Sequence, residues 1–175
     1  MKTKLFNLVA IFMIAIFSNN LMAQTTASAT NNAKCTIIAP IAITAGVDLE
    51  FGDIIKGAGD VIVATDGSRT IPAAMKSGAQ LGTIAAATFS VAGEASYTYA
   101  ITLPADGDVT ITEGTDPMNV NTFTVSTATD GDADLDGTLN GSGADTISVG
   151  ATLTVAADQA TGDYTGTFSV TVAYN

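Results

Sequence analysis

Four aspartates at alternate positions are the group in this sequence with the clearest potential for chemistry. They are Asp130, Asp132, Asp134 and Asp136, in the stretch "DGDADLDGTLNGSG". Calcium binds several carboxylate oxygens around one point, and a D-x-D-x-D-G loop supplies three of them. Counted from Asp132, the twelfth position, where a bidentate glutamate belongs, is Gly143. The stretch therefore predicts either a weak calcium-binding loop or a solvated loop whose charges discourage strand pairing, and we favour the second.

The residues that are missing exclude most enzyme classes. The chain contains no histidine and one cysteine, so catalytic triads that need histidine, zinc sites with histidine ligands and thiolate metal clusters are ruled out. It has no glycine-rich phosphate loop ending in G-K-[ST]. A two-carboxylate glycosidase stays formally open, although nothing in the sequence places two acidic residues together. We expect a protein that is not an enzyme and has no cofactor, with calcium as the alternative.

The first residues are typical of an export signal. Lys2 and Lys4 precede an apolar run over residues 5–17, and a small residue, Ala23, ends the segment. The apolar run is too short to span a bilayer, so residues 1–23 are predicted to be a cleaved signal peptide. We therefore expect a secreted bacterial protein in the periplasm, on the outer surface or in a surface fibre, without a stable membrane span after cleavage. Residues 24–34, "QTTASATNNAK", are predicted to be a flexible lead-in.

The length and the net charge that remain after cleavage favour one acidic domain. Cleavage after residue 23 leaves 152 of the 175 residues, which suits a single domain over residues 35–175. Four basic residues then face 17 acidic ones, a net charge of −13, which disfavours binding to nucleic acid or anionic lipid. The single cysteine, Cys35, cannot form an internal disulfide. It is either a small buried side chain, which we favour, or a free thiol available to a neighbour.

Alternating apolar and polar residues predict an all-β fold. About nine strand-like segments are separated by glycine and aspartate, and no segment has a convincing helical period. The longest segment, "DTISVGATLTVAAD", places five apolar residues on one face: Ile147, Val149, Ala151, Leu153 and Val155. We predict an antiparallel β-sandwich of Ig-like or pilin-like character, because alternation gives each sheet one buried and one solvated face.

Three stretches resemble a known family. They are "DLEFG" at 48–52, "YAITLP" at 99–104 and "ISVGATLTVAADQATGDYTGTFSVTVAYN" at 147–175. They resemble a family of secreted bacterial domains catalogued as domain of unknown function 4402, and the resemblance extends from Cys35 to Asn175. It implies an exported β-sandwich and no particular activity.

The C-terminal segment also resembles that of chaperone–usher pilus subunits. Its apolar residues alternate along one face, namely Phe168, Val170, Val172 and the penultimate Tyr174, and Gly162 lies about a dozen positions earlier. In pilus subunits such a strand is presented to an assembly chaperone by strand addition. The resemblance implies that this segment serves in assembly. The alternative is a strand that only closes the sheet of its own sandwich.

Two departures from pilus subunits bear on how the protein would assemble. A single cysteine cannot form their internal disulfide, and "QTTASATNNA" lacks the large alternating residues of their N-terminal extension. Only "CTIIAPIAIT" could be donated to a neighbour, with Ile37, Ile41 and Ile43 on one side. We therefore expect a structural or adhesive protein, a cell-surface or fibre subunit that associates with itself or with an outer-membrane or chaperone partner. The alternative is a monomeric binding module that uses the acidic loop for calcium.

Overall fold

The computed structural model describes residues 26–76, 82–132 and 135–175, without the side chain of Asp132. The chain divides into two units, Met1–Thr36 and Ile37–Asn175. In the first unit, the described residues 26–36 are exposed and form no helix or strand. The predicted signal peptide lies outside the described residues.

The described part of the second unit consists of strands and one short 3₁₀ turn. The turn is Ala73–Met75. The strands are β1 Ala42–Ala45, β2 Glu50–Phe51, β3 Gly59–Val63, β4 Arg69–Thr70, β5 Ile84–Ala85, β6 Ala87–Ala92, β7 Thr98–Thr102, β8 Val109–Thr112, β9 Pro117–Thr127, β10 Gly131–Asp132, β11 Asp136–Thr138, β12 Ala144–Val155 and β13 Thr171–Tyr174.

The larger sheet is organised around β12, its longest strand. One edge of β12 pairs with β6 over residues 144–149 and with β3 over residues 151–155, and its other edge pairs with β9. β1 extends the sheet beyond β6, β4 extends it beyond β3, and both β8 and β10 pair with β9. All of these pairings are antiparallel. A strand of 12 residues can serve as this axis because its alternate inward positions from Ile147 to Val155 are all apolar.

A second sheet covers part of the first. It has the order β11–β7–β13, and β2 pairs separately with β5. Apolar side chains from both sheets meet in one buried cluster, in which Tyr99 and Ile101 of β7 pack with Ile147 and Val149 of β12. A second cluster contains Leu153 with residues of β3, β8 and β9. The predicted antiparallel β-sandwich is therefore confirmed.

The structure confirms the long strand and refines other details. The five apolar residues predicted on one face of β12 are all buried: Ile147, Val149, Ala151, Leu153 and Val155. Thirteen strands are found among the described residues instead of about nine, because several are two-residue pairings too short to leave a periodic signal. Cys35 is exposed, so the favoured prediction of a buried thiol is wrong. No helix in the described ranges has the length and hydropathy needed to cross a membrane.

Candidate functional site: strand edges and a groove beside β9

The predicted terminal strand has the expected pattern of burial but a shorter ladder. Val170 is buried, the side chains of Phe168, Val172 and Tyr174 are half-buried, and the intervening residues are exposed. Only Thr171–Tyr174 forms a ladder, with β7. Earlier in the segment, Thr165 makes an isolated bridge to β8, so the segment passes from one sheet to the other. Its apolar face therefore belongs to the core of its own domain.

Tyr174 joins the end of the domain to its beginning. Its hydroxyl accepts a hydrogen bond from the Glu94 N–H at 2.6 Å and donates one to the Ala39 carbonyl at 3.0 Å. The Ala39 N–H in turn donates to the Glu94 carboxylate at 2.9 Å. A Cβ added at Gly93 would meet this hydroxyl, so glycine is needed there for the close approach. The corner between β1 and β13 is therefore closed by a ring of three hydrogen bonds.

The predicted donated strand is divided between two environments. Ile43 lies in β1, where it pairs with Val91 of β6 and is half-buried against the core. Ile41 is also half-buried against the same cluster. Ile37 is 93% exposed and precedes the first strand. Among the three predicted residues, only Ile37 is free of the protein's own core. Gly162, the glycine of the pilus resemblance, is exposed and faces Glu113.

The structure places part of the aspartate cluster. Asp130 and Asp136 are both exposed. Asp136 accepts a weak hydrogen bond from the side chain of Asn175 at 3.4 Å. The side chain of Asp132 and the whole of Asp134 lie outside the described residues. Among the described ranges, no three acidic, histidine or cysteine side chains are grouped as a metal site would need. Calcium binding by the cluster stays a prediction.

A different aspartate, Asp145, has the most connected polar side chain of the interior. It is 6% exposed and accepts hydrogen bonds from the Tyr99 hydroxyl at 2.8 Å and from the Thr146 N–H at 2.8 Å. The Tyr99 hydroxyl bonds to Oδ2, whereas the N–H and hydroxyl of Thr129 donate to Oδ1 at 3.1 and 3.0 Å, the same oxygen that accepts from Thr146. Burial, and then the bond to Asp145, raise the pKa of the Tyr99 phenol. The carboxylate therefore fastens the segment after β9 to the core.

An unpaired stretch interrupts the outer edge of β9. On the side away from β12, β9 pairs with β8 at residues 117–120 and with β10 at residues 126–127. Residues 121–125 between them have no strand partner on that side within the described ranges. Thr122 there has φ 50° and lies at a register shift against β12, which marks a β-bulge. A stretch of five residues is about 17 Å long, enough for one short added strand.

A groove of about 770 Å³ borders this stretch. Its lining is mainly apolar and consists of Ala64, Thr65, Ile101, Thr102, Leu103, Pro104, Phe123, Thr124, Val125 and Leu135. Leu135 stands out because it is 47% exposed and has φ 63°, a conformation that leucine rarely adopts. Its carbonyl accepts a hydrogen bond from the Ile101 N–H at 2.6 Å, which holds it beside the end of β7.

Three exposed aspartates neighbour the lining residues of the groove. Asp66 and Asp136 each follow a lining residue in the chain, and Asp106 accepts a hydrogen bond from the Thr122 N–H at 2.6 Å. No lysine or arginine is among the lining residues. The site is thus an apolar groove beside a strand edge that has no partner within the described residues. The sequence predicted neither the groove nor Asp145, because both depend on which strands become neighbours.

Comparisons with known proteins identify a family and no activity. Residues 41–174 match the family described as "Domain of unknown function (DUF4402)". A search of curated proteins finds no match.

Proposed function

The chain belongs to the DUF4402 family, whose description names no activity, and we propose that it is a non-enzymatic structural protein, a subunit of a bacterial surface assembly or fibre. It is exported, and its copies associate by pairing β-strands. An outer-membrane or chaperone partner receives it during assembly. The structure supplies the sandwich scaffold, and the rest of the proposal is supported by the strand edges and the exposed N-terminal residues.

The observation that carries the proposal is the exposure of Ile37. This side chain is 93% exposed, and residues 26–41 around it form no helix or strand. Isoleucine is a β-branched residue that favours strands, and leaving its side chain in water forgoes about 1.5–3 kcal/mol of burial energy. A neighbouring molecule that covers Ile37 and pairs with its backbone recovers that energy.

Open strand edges supply a place for such pairing. Within the described residues, β1 pairs only with β6, and β13 pairs only with β7. Unpaired edges of this kind accept further strands. The net charge of −13 after cleavage makes unselective contacts between copies repulsive, so association requires a segment that is not acidic. Residues 24–47 contain no aspartate or glutamate.

The test is the assembly state of the full chain, expressed in a bacterial host that exports it. Sedimentation, electron microscopy and an unboiled denaturing gel will show oligomers or fibres if the proposal is right. The variant Ile37→Asp is expected to weaken association by about tenfold to a hundredfold, which corresponds to the loss of one buried isoleucine. Val47→Asp is the matched control, because Val47 is 54% exposed and lies beyond β1, outside the strand-free residues 26–41 around Ile37.

Two results would contradict the proposal. A wild-type protein that stays monomeric at high concentration has no assembly role of this kind. Equal loss of association in the two variants would mean that added charge, and not the coverage of Ile37, controls the behaviour.

A further inference from the structure

We propose that β1 is exchanged between copies: residues 39–47 of one molecule leave the edge of their own β6 and pair with β6 of the next molecule. This inference rests on the proposed function, because it names the segment that is donated and the edge that accepts it. Residues 39–47 come directly after the exposed, strand-free part of the chain that contains Ile37. The acceptor edge in the second copy is the one that β1 occupies in the single molecule.

Hydrogen bonds of the main chain hold most of this segment on β6. Residues 42–45 form an antiparallel ladder with residues 89–92. The ladder is continued by the Gly46 N–H, which donates to the Thr88 carbonyl at 2.8 Å, and by the Thr88 N–H, which donates to the Val47 carbonyl at 2.9 Å. Main-chain bonds of this kind supply the affinity when a strand is added to a sheet edge. The β6 of another copy offers the same partners.

The acceptor also binds the backbone of Ala39, beyond the end of the ladder. The Tyr174 hydroxyl donates to the Ala39 carbonyl at 3.0 Å, and the Glu94 carboxylate accepts from the Ala39 N–H at 2.9 Å. Tyr174 and Glu94 both belong to the part of the domain that stays in place when the segment leaves. Because they bond to main-chain atoms, residue 39 of a second copy satisfies them equally.

The fully buried core does not include this segment. Within the described residues, every buried apolar side chain lies at Val61 or later in the chain. In residues 39–47, the side chains that pack on the core are Ile41 and Ile43, and both are only half-buried. Release of the segment therefore uncovers two partly exposed side chains and leaves the core packed. Local opening of this kind requires less free energy than global unfolding.

The distribution of charge also favours exchange at this pair of strands. In residues 24–175, the two longest stretches without an acidic residue are 24–47, which contains β1, and 67–93, which contains β6. Copies with a net charge of −13 after cleavage repel each other in unselective contacts. Pairing β1 of one copy with β6 of another brings together two strands without carboxylates, so this repulsion opposes it little.

The hinge of the exchange is Asp48. It is exposed and follows the last residue bonded to β6, whereas Leu49 packs against both apolar clusters and stays in place. A reciprocal exchange between two copies would bring two Asp48 hinges side by side, each close to an exposed Glu50. Like charges disfavour such a closed pair. The vacated β6 edge therefore receives the segment of a third copy, and the assembly grows head to tail.

A disulfide between β1 and β6 tests the exchange. Thr44 and Ser90 are partners in the ladder and both are exposed. The Cα atoms of such partners lie about 4.5–5.5 Å apart, which is within the reach of a disulfide. The full chain with Cys35→Ser, Thr44→Cys and Ser90→Cys is oxidised, which locks β1 on its own molecule. The matched control carries Cys35→Ser with Thr110→Cys and Asn119→Cys, exposed partners on β8 and β9.

The locked protein is expected to stay monomeric in sedimentation and on an unboiled gel. Reduction of its disulfide should restore the assembly of the Cys35→Ser protein. The oxidised control should assemble like the Cys35→Ser protein, because β8 and β9 do not separate during the exchange.

A mixture of two chains then identifies the partner strand. One chain carries Thr44→Cys and the other Ser90→Cys, each with Cys35→Ser and a different tag. Exchange places the two thiols opposite each other in the ladder. Assembly under a mild oxidant should therefore give the mixed disulfide at about tenfold or more the yield of the corresponding mixture of Thr110→Cys and Asn119→Cys chains.

The outcomes separate the two proposals. If the wild-type protein assembles, and the protein locked between β1 and β6 assembles equally well, the exchange is wrong and the assembly role stands. If both oxidised proteins fail to assemble, the mixture decides, and a mixed disulfide at the control level overturns the exchange alone. If the wild-type protein does not assemble, both proposals fall.

Discussion

Replacing Tyr99 with phenylalanine tests whether the buried carboxylate of Asp145 holds the interior together. Tyr99 is 0% exposed and its hydroxyl donates to Asp145 at 2.8 Å. Phenylalanine keeps the ring, so the packing of the cluster changes little. The substitution removes one hydrogen bond from a carboxylate that is itself only 6% exposed.

The expected cost follows from the partners that Asp145 keeps. Without Tyr99 it still accepts three hydrogen bonds, two from Thr129 and one from Thr146. A hydrogen bond to a charged group contributes about 1.5–3 kcal/mol, so Tyr99→Phe should lower the free energy of unfolding by about that amount. For a domain stable by about 5–15 kcal/mol, this is a large fraction. Asp145→Asn tests the other partner.

Urea unfolding of the two single variants and the double variant gives the coupling energy. We expect at least about 1 kcal/mol between Tyr99 and Asp145, since the two side chains are in direct contact. Tyr97→Phe is the matched control: Tyr97 is 42% exposed, and its variant should unfold like the wild type. Additive effects of Tyr99→Phe and Asp145→Asn, or a Tyr99→Phe variant as stable as the control, would refute the reasoning.

Two further predictions concern Tyr99 and Tyr174. The raised pKa of Tyr99 means that the folded protein holds its phenolic proton more tightly than the unfolded chain, so the stability it contributes is complete below about pH 10 and declines above it, by up to about 1.4 kcal/mol per pH unit. Urea unfolding measured from about pH 9 to about pH 11 should show this decline of stability with pH in the wild type and not in Tyr99→Phe. Tyr174→Phe should lower the free energy of unfolding by about 1–2 kcal/mol. It should also speed hydrogen exchange at the Glu94 amide, because it removes the oxygen that accepts this amide's hydrogen bond. Unchanged exchange at Glu94 would show that the corner does not depend on the hydroxyl.

The alternation of apolar residues predicted the core of this protein well. The inward face of β12 and the half-buried face of the terminal segment both follow from a period of two, which is local information. The same reasoning did not predict how short the final ladder is. Whether Phe168 and its neighbours form a ladder depends on where β7 ends, and β7 ends at Thr102, just before Pro104.

The candidate site required knowledge of strand order. Residues 121–125 look like an ordinary strand in the sequence, and the structure shows that β8 and β10 pair with other parts of β9, so that within the described residues this stretch has no outer strand partner. Asp145 gives a weak local signal, as an acidic residue at the start of an apolar alternation, but its partners Tyr99 and Thr129 are distant in the chain. The prediction that Cys35 is buried rests on the fact that free cysteines are usually buried. It lies before the first strand, where no core is available.

The two ends of the domain differ in a way that constrains the assembly we propose. The C-terminal strand packs within its own molecule, since Val170 is buried and the Tyr174 hydroxyl donates a hydrogen bond to the Ala39 carbonyl. Ile37, on the N-terminal side of that bond, is free. If the residues around Ile37 pair with a strand edge elsewhere on the next copy, the contact is heterologous, and such contacts repeat from copy to copy unless the rotation between them closes a ring. An unboiled gel of the wild-type protein should therefore show a ladder of increasing mass, and a dimer band alone would indicate a symmetric contact, which a donor segment and a separate acceptor edge do not make.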